Sequence, residues 1–378
     1  MARRAYTLLE LLVVVLIAAL LIGIALPAFD AITSSSRRTL AESKLEVAMR
    51  GARDAAVASI GGGDAAAVFF WEPGQGIRIE ICRQVGSIVD ADQGDIADIR
   101  DVFAPLPGFE SIQLPFGYGV RGFALASVFE STLPGSSRAY ANGFYESLFG
   151  ISGPQAQPGY WVYPETHAYP AMMPDDAGES RQTFMVRFSA GTGVVSRDPT
   201  LALVVDPVSD EDYADWASAV LVPSNIELIG ETDDLELWAR RVVSSLSADL
   251  IGADASEGLA ERDGRRLVLG DDSPHTVLAS PVGELALYLE RELARAVGAR
   301  GVNRDSGSVY LPGPDADGVA ALDDSVYDGD LPTLAVNASK WFEGRLVAAD
   351  IGGRVPIDPT ARLFTVNAYF ADLVEITR

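Results

Sequence analysis

Glu10 is the residue whose type and place most demand a chemical explanation, because it is the one charged side chain in an apolar run from Leu8 to Leu26. A carboxylate within hydrocarbon costs about 2.5–3.5 kcal/mol at a helix centre and somewhat less near an end, and it is held there by a cation. Glu10 therefore requires a partner. Elsewhere the options for chemistry are few. The single cysteine, Cys82, excludes an internal disulfide framework and any zinc site of paired cysteines. It reads as a small core hydrophobe on a strand, with no histidine near it in sequence. His167 and His275 are the only histidines, and neither Gly-x-x-x-x-Gly-Lys, His-Glu-x-x-His nor Gly-x-Ser-x-Gly occurs. Carboxylates are abundant, but no spacing singles out a glycosidase-like pair. The chain is read as a non-enzyme. One acidic stretch could take a metal: Asp315, Asp317, Asp323, Asp324, Asp328 and Asp330 fall close together among glycines. Hard oxygens at that density can wrap Ca²⁺, which takes about 6–8 of them. The spacing is not that of an EF-hand, because Asp315-x-Asp317-Gly318 lacks a third early ligand and the distal Glu. In a chain with 53 acidic residues a solvated acidic loop is the ordinary outcome.

The element that must position Glu10 is a helix. Leu8 to Leu26, at about 1.5 Å per residue, nearly matches the ~30 Å hydrocarbon thickness of a bilayer. Arg3 and Arg4 argue that this end stays cytoplasmic and the rest is exported, with Arg37 and Arg38 reducing the asymmetry. A secretory signal fits poorly. The apolar run exceeds the roughly 7–15 residues of an h-region, and neither Leu26-Pro27-Ala28 nor Phe29-Asp30-Ala31 offers the small-x-small pattern. Pro27 should kink the helix. Beyond it, Phe29, Ile32, Ser36, Leu40, Leu45, Ala48, Ala52, Ala55, Ala56 and Ile60 recur near a 3.6-residue period, predicting one apolar face until Gly61-Gly62-Gly63 stops the helix.

Arg3-Arg4-Ala5-Tyr6-Thr7-Leu8-Leu9-Glu10-Leu11-Leu12-Val13-Val14, with the apolar run closing at Ala25-Leu26-Pro27-Ala28, resembles the class III signal of type IV pilins and type II secretion pseudopilins. The resemblance implies cleavage between Ala5 and Tyr6 by a prepilin peptidase and N-methylation of Tyr6. Glu10 then becomes the fifth residue of the mature chain, paired with the Tyr6 amine of a neighbouring subunit. Ala5 stands where Gly is usual, and Tyr6 where Phe is commonest. Implied partners are other pilin or pseudopilin subunits, the peptidase and the inner-membrane assembly platform. The implied location is the bacterial inner membrane, single-pass, with the N-terminus cytoplasmic and the head periplasmic, or extracellular after assembly. A head this large suits a minor subunit at or near the tip of a pilus or secretion pseudopilus. Several pseudopilins hold calcium in late loops of the head, which gives the Asp315–Asp330 stretch its interest. The competing reading is an exported enzyme or binding protein that uses the helix only as an anchor. With 29 basic against 53 acidic residues and a pI near 4.4, a nucleic-acid partner is excluded.

The expected fold is α+β: a long N-terminal helix, half transmembrane and half amphipathic, packed on an antiparallel β-sheet head with a large loop insertion and a C-terminal α/β extension. The expected segments are a leader (1–5), a transmembrane half (6–27), an amphipathic half (28–60), a β head (64–208) and a mixed second subdomain (209–378). Within the head, Ala65–Trp71 and Gly76–Cys82 predict a hairpin, the second strand with one wet face. Arg181–Phe188 and Leu201–Val205 predict a second strand pair. Pro105 to Pro174, aromatic and rich in Gly and Pro, reads as long loops. Gly283 to Ala299 reads as a helix, and Leu334–Val336 and Arg362–Val366 as strands.

Overall fold

The computed structural model describes residues 8–59, 62–72, 75–90, 98–125, 159–162, 182–198, 200–205, 236, 239, 276–303, 307–309, 325–329, 331–344, 346 and 361–376. One helix, α1 (Leu8–Ala58), opens the chain and runs through Pro27 without a break. The chain divides into two compact units, Met1–Ser43 and Lys44–Arg378. The first is helical throughout its described length. The second holds all the strands among the described residues and the last turns of α1.

The hairpin is present: β1 (Ala65–Glu72) pairs antiparallel with β2 (Gly76–Asp90), register Ala66↔Cys82 and Phe70↔Arg78. Gly76 takes the positive φ of +92° that the tight reversal needs. The remaining strands depart from expectation. β3 (Asp98–Pro105) and β4 (Ile112–Gln113) flank β2, while β7 (Gln182–Phe188), β8 (Ala202–Val205) and β9 (Thr276–Pro281) complete a ring in the order β1-β7-β9-β8-β3-β2. Because β2 also pairs with β1, these six strands close into a barrel. The expected antiparallel sheet carried on a partly transmembrane helix is thus corrected in two respects. The sheet closes on itself with two parallel pairings, β3–β8 and β7–β9. And among the described residues no helix is long and apolar enough to cross a membrane. The physical cause of closure lies in β1, β7 and β8. Ala65 to Trp71 and Phe184 to Val186 are all at most 2% exposed, so both faces of the strands are buried and no wet face remains. A six-stranded barrel is narrow enough for side chains to fill. Ala66, Val68, Phe70, Cys82, Phe103, Met185, Ala202, Val204, Val277 and Ala279 fill it.

The predicted pairing of Arg181–Phe188 with Leu201–Val205 is also corrected. β9 enters between them, parallel to β7 and antiparallel to β8. Nor is the second hairpin strand wet on one side. Arg78 and Glu80 share the Cys82 face, are buried, and pair with each other, with the Arg78 guanidinium 4.5 Å above the Phe70 ring. Opposite charges two apart on a strand thus meet inside the barrel rather than in solvent.

A second sheet is antiparallel throughout, in the order β12-β11-β10-β5-β6, from β5 (Tyr118–Leu125), β6 (Gly159–Val162), β10 (Glu284–Leu289), β11 (Arg362–Val366) and β12 (Leu373–Glu375). β5 and β6 lie inside the stretch expected to be loops, most of which falls outside the described residues. The helix expected from Gly283 begins only at Glu290. Leu285 to Tyr288 are buried on both faces of β10, and α2 (Glu290–Val297) comes next, ended by Gly298 at φ +82°. Leu334–Val336, expected as a strand, lies in α3 (Leu331–Phe342), whose Trp341 and Phe342 pack on Tyr288 with ring centroids 6.1 and 5.0 Å away. Close approach of β5 to β10 depends on Gly119, where a Cβ would come within 2.6 Å of Tyr288 Oη and 2.7 Å of Glu290 Oε1. Gly119→Ala is therefore expected to lower stability by about 1–3 kcal/mol, the range for overpacking a filled core, as measured by denaturant midpoint at constant m.

Candidate functional site

Of the positions singled out in the sequence, Ala5 and Tyr6 lie outside the described residues. So do the side chains of Glu10 and Pro27, although the backbone of both belongs to α1. Asp315, Asp317, Asp323, Asp324 and Asp330 lie outside as well, together with His167 and His275. Asp328 is described: its carboxylate is 87% exposed and faces Arg300 at 3.4 Å. Among the described residues no group of three or more His, Cys, Asp or Glu side chains could hold a metal ion. Cys82 is fully buried in the barrel.

The surface of α1 is built from two unlike stretches. Toward its start, Leu12, Val13, Val14, Val15, Leu16, Ile17, Leu20 and Leu21 are each 44–64% exposed. Eight large apolar side chains within ten helical positions point in every direction, since successive residues turn by about 100°. Toward its end, Leu45, Ala48, Met49, Ala52, Ala55 and Ala56 are buried, a face at helical spacing. The one continuous apolar face expected from Phe29 to Ile60 is therefore corrected. Phe29, Ile32 and Leu40 are 67%, 64% and 49% exposed. At about 100° per residue they fall on the side opposite Leu45, Ala48 and Ala52.

Polar ties hold the buried stretch to the rest of its unit. Lys44 Nζ donates to the Gln113 carbonyl, Arg50 Nη2 to Asp372 Oδ1 at 2.9 Å, and Arg53 Nε to the Tyr369 carbonyl at 3.0 Å. The Gly191 N–H donates to the Ala56 carbonyl at 2.9 Å, one of the helix-end acceptors that α1 cannot satisfy itself. The turn reached by Arg50 and Arg53 is held by its own side chain: Asn367 Oδ1 accepts from the N–H groups of Tyr369 and Phe370, and Ala371 sits at φ +56°.

Buried charge inside the second unit was not legible in the sequence. At one end of the barrel Arg187 Nε donates to Asp64 Oδ2 at 2.7 Å and Nη2 to Asp101 Oδ2 at 2.6 Å, with Asp198 at 3.9 Å from Nη1. Burial opposes its charge, but the Asp64 hydrogen bond and the charges of Asp101 and Asp64 outweigh that, and the guanidinium titrates above its ordinary value. Burial also pushes the Asp198 carboxyl up. The Thr200 hydroxyl and N–H, with Arg187, more than offset this, and it titrates below the ordinary value. In the second sheet Arg121 Nε donates to Tyr288 Oη at 3.3 Å and Tyr288 donates to Glu290 Oε1 at 3.0 Å. Burial, reinforced by Glu290, raises the Tyr288 hydroxyl well above its usual range, which keeps it a donor. Arg187 is buried among its carboxylates, and Arg121, Tyr288 and Glu290 are buried and bonded in a separate chain. Such centres fix strands in place; a reacting group must reach a substrate. The exposed apolar stretch of α1 is the feature that asks for a partner. No family model matches this chain, and no curated protein or solved structure is detectably similar to it.

Proposed function

We propose that this chain is a membrane-anchored, type IV pilin-like subunit, minor pilin or pseudopilin, cleaved by a prepilin peptidase and incorporated near the tip of a pilus or secretion pseudopilus. The observation that carries it is Arg3-Arg4-Ala5-Tyr6-Thr7-Leu8-Leu9-Glu10 leading straight into a helix on which Leu12, Val13, Val14, Val15, Leu16, Ile17, Leu20 and Leu21 are exposed on every side. Large apolar side chains all round a helix are stable only in lipid or among other apolar helices. The full run from Leu8 to Leu26 includes side chains outside the described ones, and in the sequence it is long enough to span a bilayer. A subunit of this kind uses both environments, lipid before assembly and sister helices after it. Glu10 and the Tyr6 amine supply opposite charges that neighbouring copies can share, and the amine exists only after the Ala5–Tyr6 bond is cut. Cleavage is thereby made a condition for assembly. The reading rests on the N-terminal segment and not on the head, whose closed barrel differs from the antiparallel sheet that the resemblance implied.

The test is co-expression with a prepilin peptidase and mass analysis of the mature N-terminus. The expected product begins at a methylated Tyr6. Ala5→Leu, which puts a branched side chain where a small residue precedes the cut, is expected to reduce processing at least tenfold, and Ala5→Gly to leave it as fast or faster. A mature chain starting at Met1, or anywhere past Pro27, contradicts the proposal.

A further inference from the structure

Between the apolar start of α1 and its buried end lies a third kind of stretch. Between them, Thr33, Ser34, Ser35, Ser36 and Thr39 place five hydroxyl side chains in seven positions. Serine and threonine are poorer helix formers than alanine or leucine, because their hydroxyls offer the backbone competing hydrogen bonds. That competition is visible: Thr33 Oγ1 donates to the Phe29 carbonyl at 3.0 Å and Thr39 Oγ1 to the Ser35 carbonyl at 3.1 Å, each a back-bond to a carbonyl already needed by the helix ladder. Burial does not compensate. Among the described residues of α1 the first buried side chain is Ala41, while Ser35, Ser36, Arg37, Thr39 and Leu40 are all exposed. Most helical stability in proteins comes from packing of a buried face, and an unpacked stretch of about a dozen residues in water is marginal. From Lys44 onward the helix has both a buried face and the ties through Lys44, Arg50 and Arg53.

We propose that Thr33–Thr39 is a hinge built into α1: the helix opens and recloses there while the stretch from Leu45 to Ala56 stays folded. Local opening at low cost is how a protein allows one segment to reorient without unfolding another. The inference stands on the helix itself and does not depend on the chain assembling into a fibre.

Amide hydrogen exchange of the full chain in lipid nanodiscs, read by mass spectrometry, tests it. The amides of Ser34 to Leu40 are expected to exchange at least tenfold faster than those of Leu45 to Ala56. The triple variant Ser34→Ala, Ser35→Ala, Ser36→Ala is expected to slow the first group about tenfold and leave the second unchanged. Equal protection of the two groups in the parent chain overturns the hinge. So does a triple variant with unaltered exchange, or a Pro27→Ala variant that slows Ser34 to Leu40 as much as the triple does, which would put the weakness at the proline.

Discussion

Arg187→Ala is expected to lower the stability of the second unit by about 3–5 kcal/mol, the cost of removing one partner from a buried ion pair and leaving the other charges uncompensated. Arg187 itself is 6% exposed, and its two close partners, Asp64 and Asp101, are 18% and 20% exposed, so water can reach their carboxylates only in part. The residue also ties together segments far apart in sequence: the approach to β1 through Asp64, β3 through Asp101, and the turn at Asp198. Arg187→Lys keeps the charge and loses the fork that addresses two carboxylates at once, so a smaller but measurable loss is expected. Asp198→Ala should cost far less, because that carboxylate is 44% exposed and 3.9 Å away. Denaturant unfolding of the full chain in detergent, followed by tryptophan fluorescence, reads all three. If Arg187→Ala fell within 1 kcal/mol of the parent, the centre would be ornamental rather than structural.

How much of the fold was legible in the sequence depended on how far apart the cooperating residues are. The β1–β2 hairpin could be read because its alternation and its turn lie within about twenty residues. Closure of the barrel could not, since it depends on Thr276–Pro281 slipping between two strands that end by Val205. No local pattern announces that insertion. Leu285-Ala286-Leu287-Tyr288 suits either period, because a run that is apolar at every position satisfies both two and 3.6; central pairing with β5 and β11 decided for a strand. Along α1 the stripe from Phe29 to Ala56 looked continuous, yet the five-residue step from Leu40 to Leu45 turns the face by about 140° in one move. Phe29 and Leu40 end opposite Leu45 and Ala52, so only the latter pair is buried. The same contrast holds for functional residues. Glu10 stands out because its charge is foreign to its neighbours, whereas Arg187, Asp64, Asp101 and Asp198 are ordinary surface residues until the fold collects them.

For the membrane anchor proposed above, Glu10→Val should leave insertion intact or make it easier, because it removes the one charge from the Leu8–Leu26 run. Incorporation into fibres should nevertheless fall at least tenfold against the parent in a matched strain. In the proposed assembly the lost carboxylate leaves a neighbour's Tyr6 amine with no counter-charge in a medium where an unpaired ion is costly. Glu10→Gln sharpens the comparison, since it keeps the shape and a hydrogen-bond acceptor and loses only the charge; a defect equal to that of Glu10→Val would assign the effect to the ion pair. Equal incorporation of Glu10→Val and parent, with both chains cleaved after Ala5, would remove the ion-pair role at every position that has a copy ahead of it. A position in the fibre enters the same measurement. A subunit at the extreme tip has no copy ahead of it, so its own Glu10 has no amine to meet there. A chain used only at that tip should therefore tolerate Glu10→Val while losing function on any change that blocks cleavage at Ala5.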